Sequence, residues 1–155
     1  MLGSRTRIYT PEGYTRISKL KPNDEVISWN NFKIGITKIQ HVVKHNYQLT
    51  DLYKFHFEHA DKKVVVSRDH HFWLSDNHYV IADKVKFKDK VFGIDKKKIK
   101  IIGKEAVINE SQVKKMEKTD EGHIVMYELK LHERNHMYFI SSEKIVTFSQ
   151  GLYGV

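Results

Sequence analysis

The chain has 155 residues, 27 Lys and Arg against 19 Asp and Glu, a net charge of +8 and no cysteine. That length suits one domain that buries a core without staples, and the missing cysteines remove the disulfide-scaffold and zinc-ribbon classes. No apolar stretch reaches the length of a membrane span and "MLGSRTRIYT" lacks a signal-peptide core, so a soluble cytoplasmic protein is expected.

The elements read as strands almost throughout. "TRIYT" and "YTRIS" flank Pro11-Glu12-Gly13, where proline presets φ and glycine tolerates a left-handed turn, which predicts a tight hairpin. "ISKL" before "KPND" predicts one helical turn, and "DEVISW" the next strand. "ITKIQHVVKHNYQL" is β-branched enough for a strand, although His41 and His45, four apart, would meet only on a helix. "YKFHFEH" alternates Tyr53, Phe55 and Phe57 against Lys54, His56 and Glu58, and "ADKK" turns it into the strand "VVVS". "NESQVKKMEK" reads as a short helix starting at Asn109 or as a loop. In "HIVMYELKLHERNHMYFI", Val125, Tyr127, Leu129 and Leu131 share one face, and "EKIVTFS" supplies a last strand. Two prolines and eight glycines are too few for disorder. The class is a mostly-β single domain of many short strands.

The sequence pI of about 9.5 invites a nucleic-acid reading. Between Lys84 and Lys118, however, twelve lysines face five acids, so this one segment supplies seven of the eight net charges. It carries only Phe87 and Phe92 for stacking and no arginine fork for base edges, which favours a solvated linker or edge-strand face. No specific nucleic-acid partner is expected. The ten histidines lack a carboxylate that completes a ligand set, so neither a metal nor another cofactor is expected.

"VVVSRDHHFWL" is more informative. A β-branched strand runs into Ser67-Arg68-Asp69-His70, setting a hydroxyl, a carboxylate and an imidazole at a strand end, where they can fix an imidazole tautomer and aim it at neighbouring backbone. A serine hydrolase fits poorly, because no G-x-S-x-G elbow is present.

Together these residues resemble a family. "MLGSRTRIYTPEGYTRISKLKPNDEVISWN" is similar to the N-terminal splicing block of inteins and the wider Hedgehog/intein (Hint) domains, with Thr6, Ile8, Thr10, Gly13, Ile17, Leu20, Asp24 and Val26 in the pattern's positions. Ser67-Arg68-Asp69-His70 resembles the T-x-x-H block, with Ser for Thr. "YELKLHERNHMYFI" resembles the penultimate block, with His136 ahead of Tyr138 and Phe139, and "EKIVTFSQ" the last strand before the splice junction. Four blocks fall in order across the whole chain.

The resemblance implies a Hint fold, a horseshoe-like arrangement of short strands with both termini in one cleft. It also implies protein splicing. The first residue's thiol or hydroxyl attacks the preceding carbonyl, the first residue after the intein takes the acyl group, and a terminal Asn or Gln cyclises to release the intein. Such chemistry is single-turnover and autocatalytic, and it gains from the high effective molarity of one cleft. His70 would act on the N-terminal scissile amide, with Ser67 and Asp69 orienting it. His136 would assist cyclisation, or Lys130 or His132 if the strand register slips.

Two positions depart from the pattern. Met1 occupies the nucleophile's place, and its thioether cannot form an ester. At the other junction Gln150 is the cyclising residue, Ser149 takes the usual His position, and Gly151 is the first extein residue, again without a nucleophile. In the alternative register Ser149 replaces Asn, Phe148 replaces His and Gln150 comes first after the junction. In either register the chain is expected not to splice, as an inactivated precursor. Residues 1–150 would be the intein and 151–155 an extein remnant, since "GLYGV" resembles the Asn-Ser-x-Tyr-Gly segment of family B DNA polymerases. That polymerase would be the partner in cis. The size suits a mini-intein, and the lysine-rich stretch before "EKTDEG" falls where an endonuclease insertion or a split into complementary fragments is often found; the "SWNNFKIG" turn is another break point. Two other readings stay open: a Hint-type autoprocessing module that cleaves without ligating, and a basic β domain that binds nucleic acid.

Overall fold

The turn chemistry sets the first elements. In the computed structural model, which describes residues 1–31, 33–133 and 137–148, β1 (Leu2–Gly3) leads into β2 (Arg7–Thr10) and β3 (Gly13–Arg16), an antiparallel hairpin. Gly13 sits at φ +112, a left-handed conformation that side chains resist, and the Thr10 hydroxyl donates to its carbonyl at 2.7 Å. After a 3-10 turn at Ile17–Lys19 come β4 (Glu25–Asn30), β5 (Lys33–Tyr47), β6 (Leu52–Phe57) and β7 (Val64–Ser67). Then follow β8 (His71–Trp73), β9 (Tyr79–Ile81), β10 (Lys90–Phe92), β11 (Lys98–Ala106), β12 (Ile124–Leu131), β13 (Met137–Ile140) and β14 (Ile145–Phe148). Among the described residues the only helices are short 3-10 turns.

The main sheet runs in the order β10-β11-β6-β7-β1-β12-β5-β4-β13-β2-β3, with β14 beside β13, while β8 and β9 form a separate hairpin. The fifteen-residue β5 joins the two halves: Lys33–Lys38 pair with β4 and Ile39–Tyr47 with β12. His41 and His45 therefore lie on a strand, and among the described residues no three His, Cys, Asp or Glu could together hold a metal ion.

Alternation along the strands sorts the core. Val125, Tyr127, Leu129 and Leu131 face the main core with Leu2, Phe55, Phe57, Val66 and Phe72, as their spacing predicted. Ile124 and Met126, on the other face of β12, join Met1, Leu52, Val65, Val107 and Val113 in a second cluster. Strands β1, β7 and β12 are thus covered on both faces, which explains why all four residues of "VVVS" are buried.

The lysine-rich segment is folded rather than a linker. Strand β10 is the sheet's edge and pairs with β11, which in turn pairs with β6; Lys90 stands on the edge strand, Lys98, Lys100 and Lys104 on the doubly paired β11, and the other lysines on the connecting segments. "NESQ" forms a 3-10 turn at Glu110–Gln112, capped reciprocally by Asn109 and Gln112, rather than a longer helix. No helix among the described residues is long and apolar enough to cross a membrane.

Candidate functional site

The site forms where the shortest strand enters the sheet's middle. β1 lies between β7 and β12, with Leu2 opposite Val66 and Tyr127. Continuing that register sets Met1 between Ser67 and Glu128, and the Ser67 N–H donates to the Met1 carbonyl at 3.1 Å. Two long-range strands thereby clamp the backbone of residue 1.

The Met1 ammonium donates to Ser67 Oγ at 3.1 Å and lies 3.3 Å from His70 Nδ1. Ser67 Oγ in turn donates to Asp69 Oδ1 at 2.7 Å. Ser67 is fully buried and His70 nearly so, with the imidazole edge-on to Phe72 at 5.0 Å between centroids. The 67–70 turn is closed by the His70 N–H donating to the Ser67 carbonyl at 3.0 Å. It is pinned from outside: the Ala82 N–H donates to the His70 carbonyl at 2.7 Å and the Asp83 N–H to the Arg68 carbonyl at 3.0 Å. The Asp83 carboxylate also accepts from Arg68 Nη2 at 2.9 Å and from the Tyr53 hydroxyl at 2.5 Å. The imidazole is held by backbone on both flanks.

Burial dominates the electrostatics. It holds His70 well below the ordinary 6.5, helped by the Met1 ammonium and His71, so the ring is neutral near pH 7 and Nδ1 accepts from the ammonium. Burial also pulls the Met1 ammonium below 8.0, against the opposing pull of Glu128 and Asp69. Glu128, on the Met126 face of β12, is raised above 4.5 by burial and by Asp69, with the ammonium acting the other way. Tyr47 lies beside Ser67 and is raised above 10.0 by burial and by Asp69.

The structure therefore brings together Met1, Ser67, Asp69 and His70, the four N-terminal residues that the sequence singled out. His136, Ser149, Gln150 and Gly151 lie outside the described residues. Of the register alternatives, Lys130 pairs with His41, and the His132 N–H donates to the Lys38 carbonyl. Sequence reasoning missed Glu128 and Tyr47. Glu128 shares the Ile124–Met126 face of β12 with Lys130, and nothing local to that strand marks it as a neighbour of residue 1.

The C-terminal strand approaches the same region through β8. That strand starts beside His70 and ends at Trp73, whose ring lies 6.2 Å from Phe148 and 5.5 Å from Trp29. Three residues at ~3.3 Å each carry the chain roughly 10 Å from His70 to Trp73.

Neither a protein-family model nor a curated protein matches this chain. Solved structures do. A bacterial intein-like domain from Clostridium thermocellum aligns over 96% of this chain and 97% of its own, with a TM-score of 0.78 and 19% identity. The Ssp DnaB mini-intein variant M86 aligns over 96% and 93%, with a TM-score of 0.71 and 14% identity. The gp41-1 intein aligns over 96% and 97%, with a TM-score of 0.68 and 18% identity. Agreement in fold over nearly the whole of each chain, at identities this low, matches the expectation drawn from the four ordered blocks: the chain has the Hint fold of inteins.

Proposed function

We propose that this chain is an autoprocessing domain of the protein-splicing type, acting once on the peptide bond that precedes residue 1. The observation that carries the reading is the position of the Met1 nitrogen, clamped between two strands and 3.3 Å from a buried, neutral imidazole. The Met1 ammonium stands in for the N–H of a scissile peptide bond. In a chain extended upstream, that N–H donates to Ser67 Oγ, whose own proton is committed to Asp69. His70 is then poised at the amide nitrogen. In a chain with Ser or Cys at position 1, Nδ1 takes up the proton that the attacking hydroxyl or thiol loses and passes it to the amide nitrogen as the C–N bond breaks, so the ring returns to its neutral form and the leaving group departs as an amine. Burial disfavours the imidazolium, so proton transfer to the amine is downhill once the bond weakens.

Glu128 and Asp69 set a negative field around residue 1. That field stabilises the ammonium that forms. The thioether of Met1 offers no such nucleophile, so this chain is an arrested form. Gln150 is proposed as the cyclising residue, His136 as its assistant and Gly151 as a substituted acceptor. Residues 1–150 form the splicing domain and 151–155 belong to the host. The polymerase-like run Gly151-Leu152-Tyr153-Gly154 supports a family B DNA polymerase as that host.

The test is restoration. Met1→Ser or Met1→Cys is combined with Gly151→Ser, with and without Gln150→Asn, between reporter sequences at both ends, and masses are followed over time. Ligated reporters are the expected product. Cleavage without ligation would reassign the chain to an autoprocessing module, and an inert chain in every combination would overturn the reading. In a restored background, His70→Ala should stop ester formation.

A further inference from the structure

A second concave site lies on the sheet, distinct from the residue 1 site. It is a cleft of about 620 Å³ floored by Gly3, Val65, Val113 and Met116. The β2–β3 hairpin walls it on one side, the 111–115 turn on another, and the β6–β7 turn closes its end. Met116 packs directly on Gly3: a Cβ at that position would lie 2.7 Å from Met116 Cε, so glycine lets the floor close.

The lining is of one sign. Its single carboxylate, Asp61, is held by the Arg7 guanidinium through two hydrogen bonds, and Lys54 Nζ donates to the Gln112 carbonyl at 2.8 Å. Six further cations remain: Arg5, Arg16, Lys62, Lys63, Lys114 and Lys115. All six are exposed, and none forms an ion pair among the described residues. Only two come from the lysine-rich segment, so it is the fold that gathers this charge from three distant stretches. A concave surface of one sign over apolar walls focuses its field and concentrates counter-ions.

The lining also selects the anion. The floor strands β1 and β7 are interior to the sheet and paired on both sides, so an extended peptide finds no free edge to bond. The one carboxylate is already held by Arg7, so the lining offers no free anionic partner to a donor-rich ligand. A phosphate chain brings only acceptors. None of the lining residues is aromatic, which leaves nothing for bases to stack on.

We propose that this cleft binds a flexible chain of linked phosphates, reading charge and not base sequence. The same chemistry is offered by the backbone of single-stranded nucleic acid and by inorganic polyphosphate. The site is independent of the splicing reading.

The test uses the full chain and three probes: labelled oligothymidylate of about twelve nucleotides, inorganic polyphosphate of similar length, and an equally long oligoglutamate. Both phosphate probes should bind. With about four contacts, the oligothymidylate affinity should fall with salt at a log–log slope near −3. Lys62→Glu/Lys63→Glu and Lys114→Glu/Lys115→Glu should each weaken binding at least tenfold. Lys90→Glu/Lys98→Glu removes the same charge from the sheet edge and should change affinity less than twofold. Lys62→Gln/Lys63→Gln, with an unchanged melting temperature, should reproduce the loss and exclude misfolding. Binding of oligothymidylate alone assigns the site to nucleic acid, and equal binding of both phosphates assigns it to phosphate in general. Equal loss in the edge variant, or oligoglutamate binding as tightly as the phosphates, would overturn the proposal.

Discussion

His70 should make this fold lose stability as pH falls below neutrality. The native ring is buried and held well below 6.5, while in the unfolded chain it titrates near the ordinary value of about 6.5. Below that pH the unfolded state takes up a proton that the native state refuses. The unfolded state thus binds more protons, and stability falls with falling pH. The slope reaches about 1.4 kcal/mol per pH unit, and going from about pH 7.5 to pH 5 costs up to ~2 kcal/mol while the native ring stays neutral.

His70→Gln keeps a polar side chain there and removes the titration. Its neighbours titrate as well. The Met1 ammonium and His71 are lowered and act in the same direction, whereas Glu128 is raised and acts oppositely above 4.5. The informative quantity is therefore the difference between the parent chain and His70→Gln, taken from urea unfolding at each pH. The parent's advantage over the variant should shrink between pH 7.5 and 5, by up to ~2 kcal/mol if the native ring stays neutral throughout. A difference constant to within about 0.4 kcal/mol would mean that His70 titrates normally in the fold, and would refute the argument from burial.

Ser67→Ala should remove the link between the Met1 ammonium and Asp69, at a cost of ~2 kcal/mol for buried, charge-assisted bonds. Calorimetry should show this as a melting temperature lower by about 4–8 °C, and Ser67→Thr, which keeps the hydroxyl, should recover most of it. Gly93→Ala would set a Cβ 2.5 Å from Ile99 Cδ1 and 3.4 Å from the carbonyl oxygens of Glu143 and Lys144. It should cost ~1–3 kcal/mol through overpacking. Ile99→Val deletes the clashing atom, so the double variant should be more stable than the sum of the single effects implies, which a denaturation cycle measures. Tyr138 is fully buried, and its phenol is held well above 10.0 by burial and then by Glu128. Above pH 10 the unfolded state sheds a proton that the native state keeps, so stability falls there; Tyr138→Phe should flatten part of that alkaline limb in a pH-jump unfolding assay. Among the described residues its hydroxyl accepts only a long 3.5 Å bond from the Leu129 N–H, so the neutral-pH cost should stay below ~1 kcal/mol.

Much of this protein was legible in one dimension because its signals are local. The Pro11-Glu12-Gly13 turn, the alternation of Tyr53, Phe55 and Phe57, and the face shared by Val125, Tyr127, Leu129 and Leu131 each depend on a few consecutive residues, and each appears in the fold. The Ser67–His70 turn was legible too, since one short segment carries the hydroxyl, carboxylate and imidazole. Glu128 was not, because its relevance depends on lying across a strand pair from Met1, and pairing register is a long-range property.

The sequence by itself determined the mostly-β class, the Hint resemblance, and the absence of a nucleophilic side chain at positions 1 and 151, since side-chain chemistry needs no neighbours to be read. Only the tertiary structure decided that β1 is inserted between β7 and β12, which brings the residue 1 nitrogen to His70 Nδ1 and buries the imidazole enough to keep it neutral. The same holds for the basic cleft, whose cations come from three stretches that no periodicity connects. Burial and charge clustering are collective quantities, fixed when distant strands pair and water leaves the space between them.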